Sequence, residues 1–342
     1  MKGSNSGKVQ IVLRIVIGIV ASLGIFSVFL LTQNQNPATV YMAIIQCFTG
    51  NKYNVGEIWV HMTSILIAAV ATLIPAKVGL SNCGAEGQLI AGAVAANVVG
   101  VYVCEELPGS IGIPVMILAA ILAGMLCGLI PLLTKIYLGM NETLTTLLMN
   151  YIMTKFVAYL VYGPLKDPNG NNYPMSAKIA DQLMIPSFSG SRGNFTILIA
   201  VGIAVITWLI LNKTEVGFKM KVVGGNERAA KFAGYNVKKI QIKSFLIATG
   251  LAGLAGGFYM SSVELQIRET TAAGYGFLGF LSSGIVLDNP LLAVVSSAIL
   301  SVLKACGSSL ELKTGLRSSA STILMSIILL VIFALGRRKR EE

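Results

Sequence analysis

The sequence predicts an all-α, polytopic membrane protein with about ten transmembrane segments, some of them short or broken, in one domain over residues 1–342. Three observations carry that prediction. The chain is 54% hydrophobic and only 12% charged, with a mean hydropathy of +0.75, a balance that a soluble globular domain does not have. Apolar runs of about twenty residues recur along its length, each able to cross about 30 Å of hydrocarbon. Lys and Arg gather between alternate runs, the pattern that fixes which loops stay inside.

Taken in order, Met1–Val9 is short, polar and basic, which places the N-terminus inside, and Ile11–Leu31 is the first span. That run is too long for a cleaved leader and lacks a small-residue cleavage site, so it is expected to stay as a span. Gln33–Val55 reads as a polar outer loop, Glu57–Pro75 as the second span and Gly84–Val103 as the third, with an unusually polar start. Glu105–Gly109 is an acidic outer turn. Ile111–Leu133 and Glu142–Tyr162 are spans four and five, the latter interrupted by Asn150 and Lys155. Gly163–Asn194 is a long outer loop rich in Pro, Asn, Gly and Ser. Phe195–Leu211 and Ile242–Met260 are spans six and seven, and Ser261–Ala273 is a polar outer turn. Gly274–Leu287 and Leu291–Cys306, separated by Asp288-Asn289-Pro290, read as short or discontinuous spans meeting at an inner turn. Ser319–Leu335 is the last span, before a tail with Arg337-Arg338-Lys339-Arg340. This parity puts both termini, Lys77, Lys135 and the basic tail on one side. Dropping one segment would put the Arg337–Arg340 cluster outside.

The net charge of +11 lies largely at the membrane face, where positive-inside topology and anionic lipid account for it without nucleic acid. Cys47, Cys83, Cys104, Cys127 and Cys306 have no metal-ligand spacing, and most sit in apolar runs as small buried residues. His61 is the single histidine, no carboxylate dyad or Ser/His/Asp set can be assembled, and no metal or catalytic residue is assigned. There is no GxxxxGK[ST] loop, so the chain is not read as an ATPase.

Three stretches stand out. Val78–Gln88 combines glycines with Asn82, Glu86 and Gln88 at membrane depth, where an ionisable group is a functional candidate by default. Glu86 either lines a path or pairs with a cation such as Lys77 and holds a backbone break. In Asn141–Tyr151, Thr146 and Asn150 are four apart on one helix face, suited to lining a path or binding a neighbouring helix. In Ala248–Gly257, Gly253 and Gly257 form a small-xxx-small face for close helix packing.

The long polar block Lys213–Lys243 is opposed by only two acids, Glu215 and Glu227. Within it Asn226 is a good helix N-cap, Glu227 suits the positive end of the dipole and Gly234 suits the left-handed position past the end. A helix of about two turns over Asn226–Ala233 is too short to stand alone in water. It is either a connector packed on its own domain or a docking helix for a cytoplasmic partner.

The first two of these stretches and the basic block together resemble the inner-membrane permeases of bacterial ATP-binding-cassette importers of the branched-chain amino acid/ribose type. Gly79–Gln88 is similar to that family's GLFNIGAEGQ stretch, with Ser81 and Cys83 as departures. Asn141–Tyr151 is similar to its NExxxTLxxNY, and Val216–Gly234 to its basic loop, through Gly225, Asn226, Ala229, Ala230, Ala233 and Gly234. The GAEGQ form points to the nucleoside importer branch; the sugar permeases' GGIDLSVG-like stretch is absent. At Gly276–Pro290, Leu278 stands where relatives often carry an acid.

The resemblance implies a multi-pass subunit of the bacterial cytoplasmic membrane, with lipid around it. It would be paired with a second permease, itself or a paralogue. A cytoplasmic ATPase dimer would bind Mg-ATP, this chain carrying no cofactor, and an extracytoplasmic substrate-binding protein would deliver solute. Asn226, Glu227, Arg228, Ala229, Ala230, Lys231, Phe232, Ala233 and Gly234 would be the ATPase-coupling segment, with Phe232, Ala229 and Ala233 as anchors. Asn82, Glu86, Gln88, Thr146 and Asn150 would be candidates for the solute path. Alternatives are a sugar or other small-solute permease, and a proton-coupled secondary transporter using Glu86.

Overall fold

The computed structural model describes residues 20–49, 52–168, 170, 173–189, 191–286, 289–314, 320, 322–327 and 331. The described residues hold no β-strand, only two isolated bridges. The helices are α1 (Val20–Thr32), α2 (Pro37–Thr49), α3 (Lys52–Ala76), α4 (Ala85–Tyr102), α5 (Gly109–Leu138), α6 (Glu142–Tyr162), α7 (Thr196–Lys213), α8 (Glu215–Gly225), α9 (Glu227–Phe232), α10 (Val237–Tyr259), α11 (Tyr275–Ile285) and α12 (Pro290–Thr314). Among the described residues six helices are long and apolar enough to cross a membrane: α3, α5, α6, α7, α10 with its continuation to Glu264, and the stretch Pro290–Gly307 of α12.

These six account for part of the expected ten spans. α4 starts too polar, because Glu86 and Gln88 fall in its first turn. α11 has 11 residues, about 16 Å of helix and half of a bilayer. Residues 11–19 of the first expected span, most of the last, and the Arg337–Arg340 tail lie outside the described residues.

Two stretches expected as irregular are helical. Gln33–Val55 contains α2, whose Pro37 takes the first helical position while Asn36 Oδ1 accepts from Ala38 N at 2.9 Å. The basic block contains α8 as well as the short helix. Gly217, Met220 and Val223 form the buried side of α8, and its many lysines masked that pattern in the sequence. The fifth span has the expected bounds, since Asn141 caps α6 by accepting from Thr143 N (2.9 Å) and Leu144 N (3.3 Å).

α3 and α10 run through the middle of the bundle. α4 and α5 pack on α10, and α7, α11 and α12 pack on α3. Gly253 and Gly257 do form a packing face, and it meets α5. A Cβ on Gly253 would overlap the Ala120 carbonyl, and one on Gly257 would come within 2.8 Å of Ala120 Cβ. The opposite side of α10 is equally tight against α4, with Gly256 at the Leu89 carbonyl and Gly92 at Gly253. Helices without large side chains between them gain dispersion contacts that lipid tails cannot match.

The chain between α3 and α4 turns back along α3. Gly79 has φ +78, and Asn82 Nδ2 reaches the Ala71 carbonyl at 3.4 Å, so α4 begins beside the interior of α3 and not at its end. α11 also begins beside the interior of α3. Tyr275 touches His61, and a Cβ on Gly279 would meet Ala68. The two N-termini thus converge inside the bundle.

Candidate functional site

Glu86 lies where α4 and α11 converge. It is in the first turn of α4, and its carboxylate receives three backbone N–H groups at the start of α11. Oε1 accepts from Gly274 N at 2.5 Å, and Oε2 accepts from Gly276 N at 2.6 Å and Phe277 N at 3.3 Å. One negative charge therefore answers the positive ends of two helices. Gly276 permits the approach, since a Cβ there would overlap the Glu86 backbone. Lys304 on α12 acts electrostatically on Glu86 and donates to the Ala273 carbonyl at 3.3 Å. The expected pairing of Glu86 with Lys77 is replaced by this backbone cradle and Lys304.

The other four path candidates form one cluster below it. Asn82 and Gln88 join head to tail, Asn82 Nδ2 to Gln88 Oε1 at 3.0 Å and Gln88 Nε2 to Asn82 Oδ1 at 2.9 Å, and Gly84 N donates to Asn82 Oδ1 at 3.1 Å. Asn150 Oδ1 accepts from Gly87 N at 2.8 Å and its Nδ2 donates to the Cys83 carbonyl at 2.8 Å. Thr146 Oγ1 accepts from Cys83 N at 3.3 Å. All five residues are buried; Glu86, Asn82, Thr146 and Asn150 bond backbone of the α3–α4 turn or of α11, and Gln88 holds Asn82 in place. A backbone break inside a membrane needs such partners, because no water serves it. Asn150→Ala should remove two buried bonds at once and lower stability by about 2–4 kcal/mol, read as a fall in the melting midpoint of purified protein. An unchanged midpoint would rule out this bracing role.

A second polar group was not legible as a site. Arg192 Nη1 lies 3.1 Å from Glu57 Oε1, which is 3.8 Å from His61 Nε2. His61 Nδ1 is 2.6 Å from the Tyr275 hydroxyl, which lies 3.5 Å from that of Tyr259. The rings of His61 and Tyr275 stack at 5.6 Å, and Lys304 Nζ sits 5.1 Å from the Tyr275 ring centroid. The lone histidine had been set aside as unable to build a metal or acid–base scheme. The available signal was the spacing of Glu57 and His61, four apart on one face, with Lys304 in the middle of an apolar run.

The docking segment forms a six-residue helix, α9. Asn226 Oδ1 accepts from Arg228 N and Ala229 N, each at 3.0 Å, and Gly234 has φ +83. Glu227 Oε1 accepts from Gln241 Nε2 at 2.7 Å, which ties α9 to α10. Phe232 is 93% exposed, and Arg228, Ala229, Lys231 and Ala233 are exposed with it. Ala230 is fully buried against its own chain and is not available to a partner.

Helix N-termini meeting inside a bundle of apolar helices are an arrangement that membrane transport proteins use. The chain belongs to the family described as branched-chain amino acid transport system / permease component, which it matches over residues 54–335. It is 28% identical to the glucose ABC transporter permease protein TsgB13 of Haloferax volcanii, over 93% of this chain and 86% of that protein. It is 29% identical to the guanosine ABC transporter permease protein NupP of Bacillus subtilis, over 95% and 96%. A solved chain described as that of a metal-chelate type ABC transporter in an inward-facing conformation shares the fold. Its TM-score is 0.50 at 16% identity, over 96% of this chain and 98% of that one. The chain is an ABC transporter permease subunit.

Proposed function

We propose that this subunit forms the translocation path of an ATP-driven importer of nucleosides in the bacterial cytoplasmic membrane, with both termini and α9 on the cytoplasmic side. The observation that carries the ATP-driven reading is α9, a capped helix that ends in an exposed Phe232, next to exposed Lys231 and four residues after exposed Arg228, on a chain that has no phosphate-binding loop. An aromatic anchor with flanking cations suits a groove on another protein. The partners are a second permease, itself or a paralogue, a Mg-ATP-binding ATPase pair docked on α9, and an extracytoplasmic protein that delivers solute. Asn82, Glu86, Gln88, Thr146 and Asn150 fix the wall beside the path, and the wall's shape depends on their bonds.

Nucleosides as cargo rest on the GAEGQ stretch and on the likeness to a guanosine permease over nearly the whole chain. The comparable likeness to a glucose permease makes a sugar the second reading. The test is uptake of labelled guanosine and of labelled glucose by proteoliposomes holding the chain with its co-purified partners. ATP-dependent guanosine uptake is expected, with none from the chain alone. Glucose uptake in its place would transfer the reading to sugars, and uptake driven by a proton gradient without ATP would sink it.

A further inference from the structure

We propose that Tyr259, Ser261, Glu264, Tyr275 and His61 form a solute-holding station for a planar, neutral heterocycle bearing N–H and O–H donors. The station shares no residue with the α3–α4 bracing cluster. Where α10 ends, its last turn widens into a π-helix, Met260–Glu264, a local geometry common at functional sites. Among the described residues, Ser261 Oγ and Glu264 Oε2 are the buried side-chain oxygens without a hydrogen-bond partner. Buried polar atoms nearly always find one, and both of these can accept. Glu264 also acts electrostatically on the hydroxyls of Tyr259 and Tyr275. The rings of Tyr259 and Tyr275 lie 4.8 Å apart and that of His61 stacks on Tyr275. Ser261 follows Tyr259 by two residues, and the Glu264 carboxylate, held on its other side by Thr271 and Arg268, keeps one oxygen open.

In this conformation the rings cover one another, and both tyrosines are buried. Residues 265–274 join Glu264, at the end of the π-turn, to Tyr275 at the start of α11. Leu265, Ala272 and Gly274 in it have φ of +61, +59 and +90, and the two non-glycine residues are held in a region such residues seldom adopt. The outer loop presses on the same segment through Ile179 N to the Leu265 carbonyl at 2.9 Å and Ser176 N to the Ile267 carbonyl at 3.0 Å. When the segment lifts, a heterocycle takes the place of a ring face, and its donors meet Ser261 and Glu264.

The proposal rests on the importer reading. Its test uses the assembled transporter in proteoliposomes, labelled guanosine and labelled glucose as probes, and the variants Ser261→Ala and Glu264→Gln. For whichever probe the wild type takes up, Ser261→Ala should raise KM about three- to tenfold, the value of one hydrogen bond. Its melting midpoint should hold or rise, because an unbonded hydroxyl has left the interior. Glu264→Gln should raise KM at least as much. Wild-type KM in both variants overturns the station, as does a KM rise seen only with a lowered midpoint in both. Uptake of glucose alone removes the nucleoside reading but leaves the variants to decide the station. Uptake of neither probe counts against both.

Discussion

Glu86→Gln should cost the protein most of its assembled yield. The two carboxylate oxygens of Glu86 serve three N–H groups at the start of α11. An amide keeps only one oxygen, and its NH2 would face a backbone donor in either orientation. Hydrogen bonds to a charged group contribute about 1.5–3 kcal/mol each, so losing at least one and opposing another costs about 3 kcal/mol or more. That is a large share of the stability of a typical folded protein. Lys304 would also lose the charge it faces. The measurement is monodisperse complex recovered per litre of culture, with melting midpoint and uptake on the same preparation. Low yield of poorly assembled protein is expected. Full yield with impaired uptake would instead make Glu86 a group that touches solute, and full yield with full uptake would refute both roles.

Phe232→Asp should leave the permease folded and uncouple it from ATP. Phe232 is 93% exposed, so its own fold does not depend on it. Burying a phenylalanine at an interface contributes about 1.5–3 kcal/mol, and placing an unpaired carboxylate there removes more. A loss of about 2 kcal/mol is about thirtyfold in affinity for the ATPase. Pull-down of the ATPase by tagged permease, with ATP-driven uptake, reads the effect. Ala229→Glu, also on the exposed side, should act in the same direction. Ala230→Glu should behave differently, lowering the melting midpoint itself because Ala230 is the buried residue of α9, packed against its own chain. Normal ATPase retention by Phe232→Asp would remove α9 as the docking element.

Much of the helical order was legible in the sequence where local chemistry decides it. Asn141 and Asn226 announced their caps, Gly234 its left-handed turn, and Gly253 with Gly257 a packed face. α2 was not legible, because polar residues suggested a loop and only Pro37 hinted at a helix start. α8 was missed for the same reason. Candidate residues Asn82 to Asn150 were found because polar groups at membrane depth are rare, but their partners were not. Gly276 lies 190 positions from Glu86, and no spacing rule connects them. His61 reads as solitary in the sequence because one partner, Tyr275, is 214 positions away, although the other, Glu57, is one turn back on the same helix.

The contacts at Gly92, Gly253, Gly256 and Gly257 also limit how the subunit can change shape. Where backbone lies directly on backbone, there is no layer of long side chains to re-pack as neighbours slide. α4, α5 and α10 are therefore expected to move as one stiff piece in any change of state. Such a change would then be absorbed at its margins, in the turn before α11 where Ala272 and Gly274 have positive φ. A mutation that adds bulk inside the piece would jam assembly, whereas one at those margins would change the speed of the cycle.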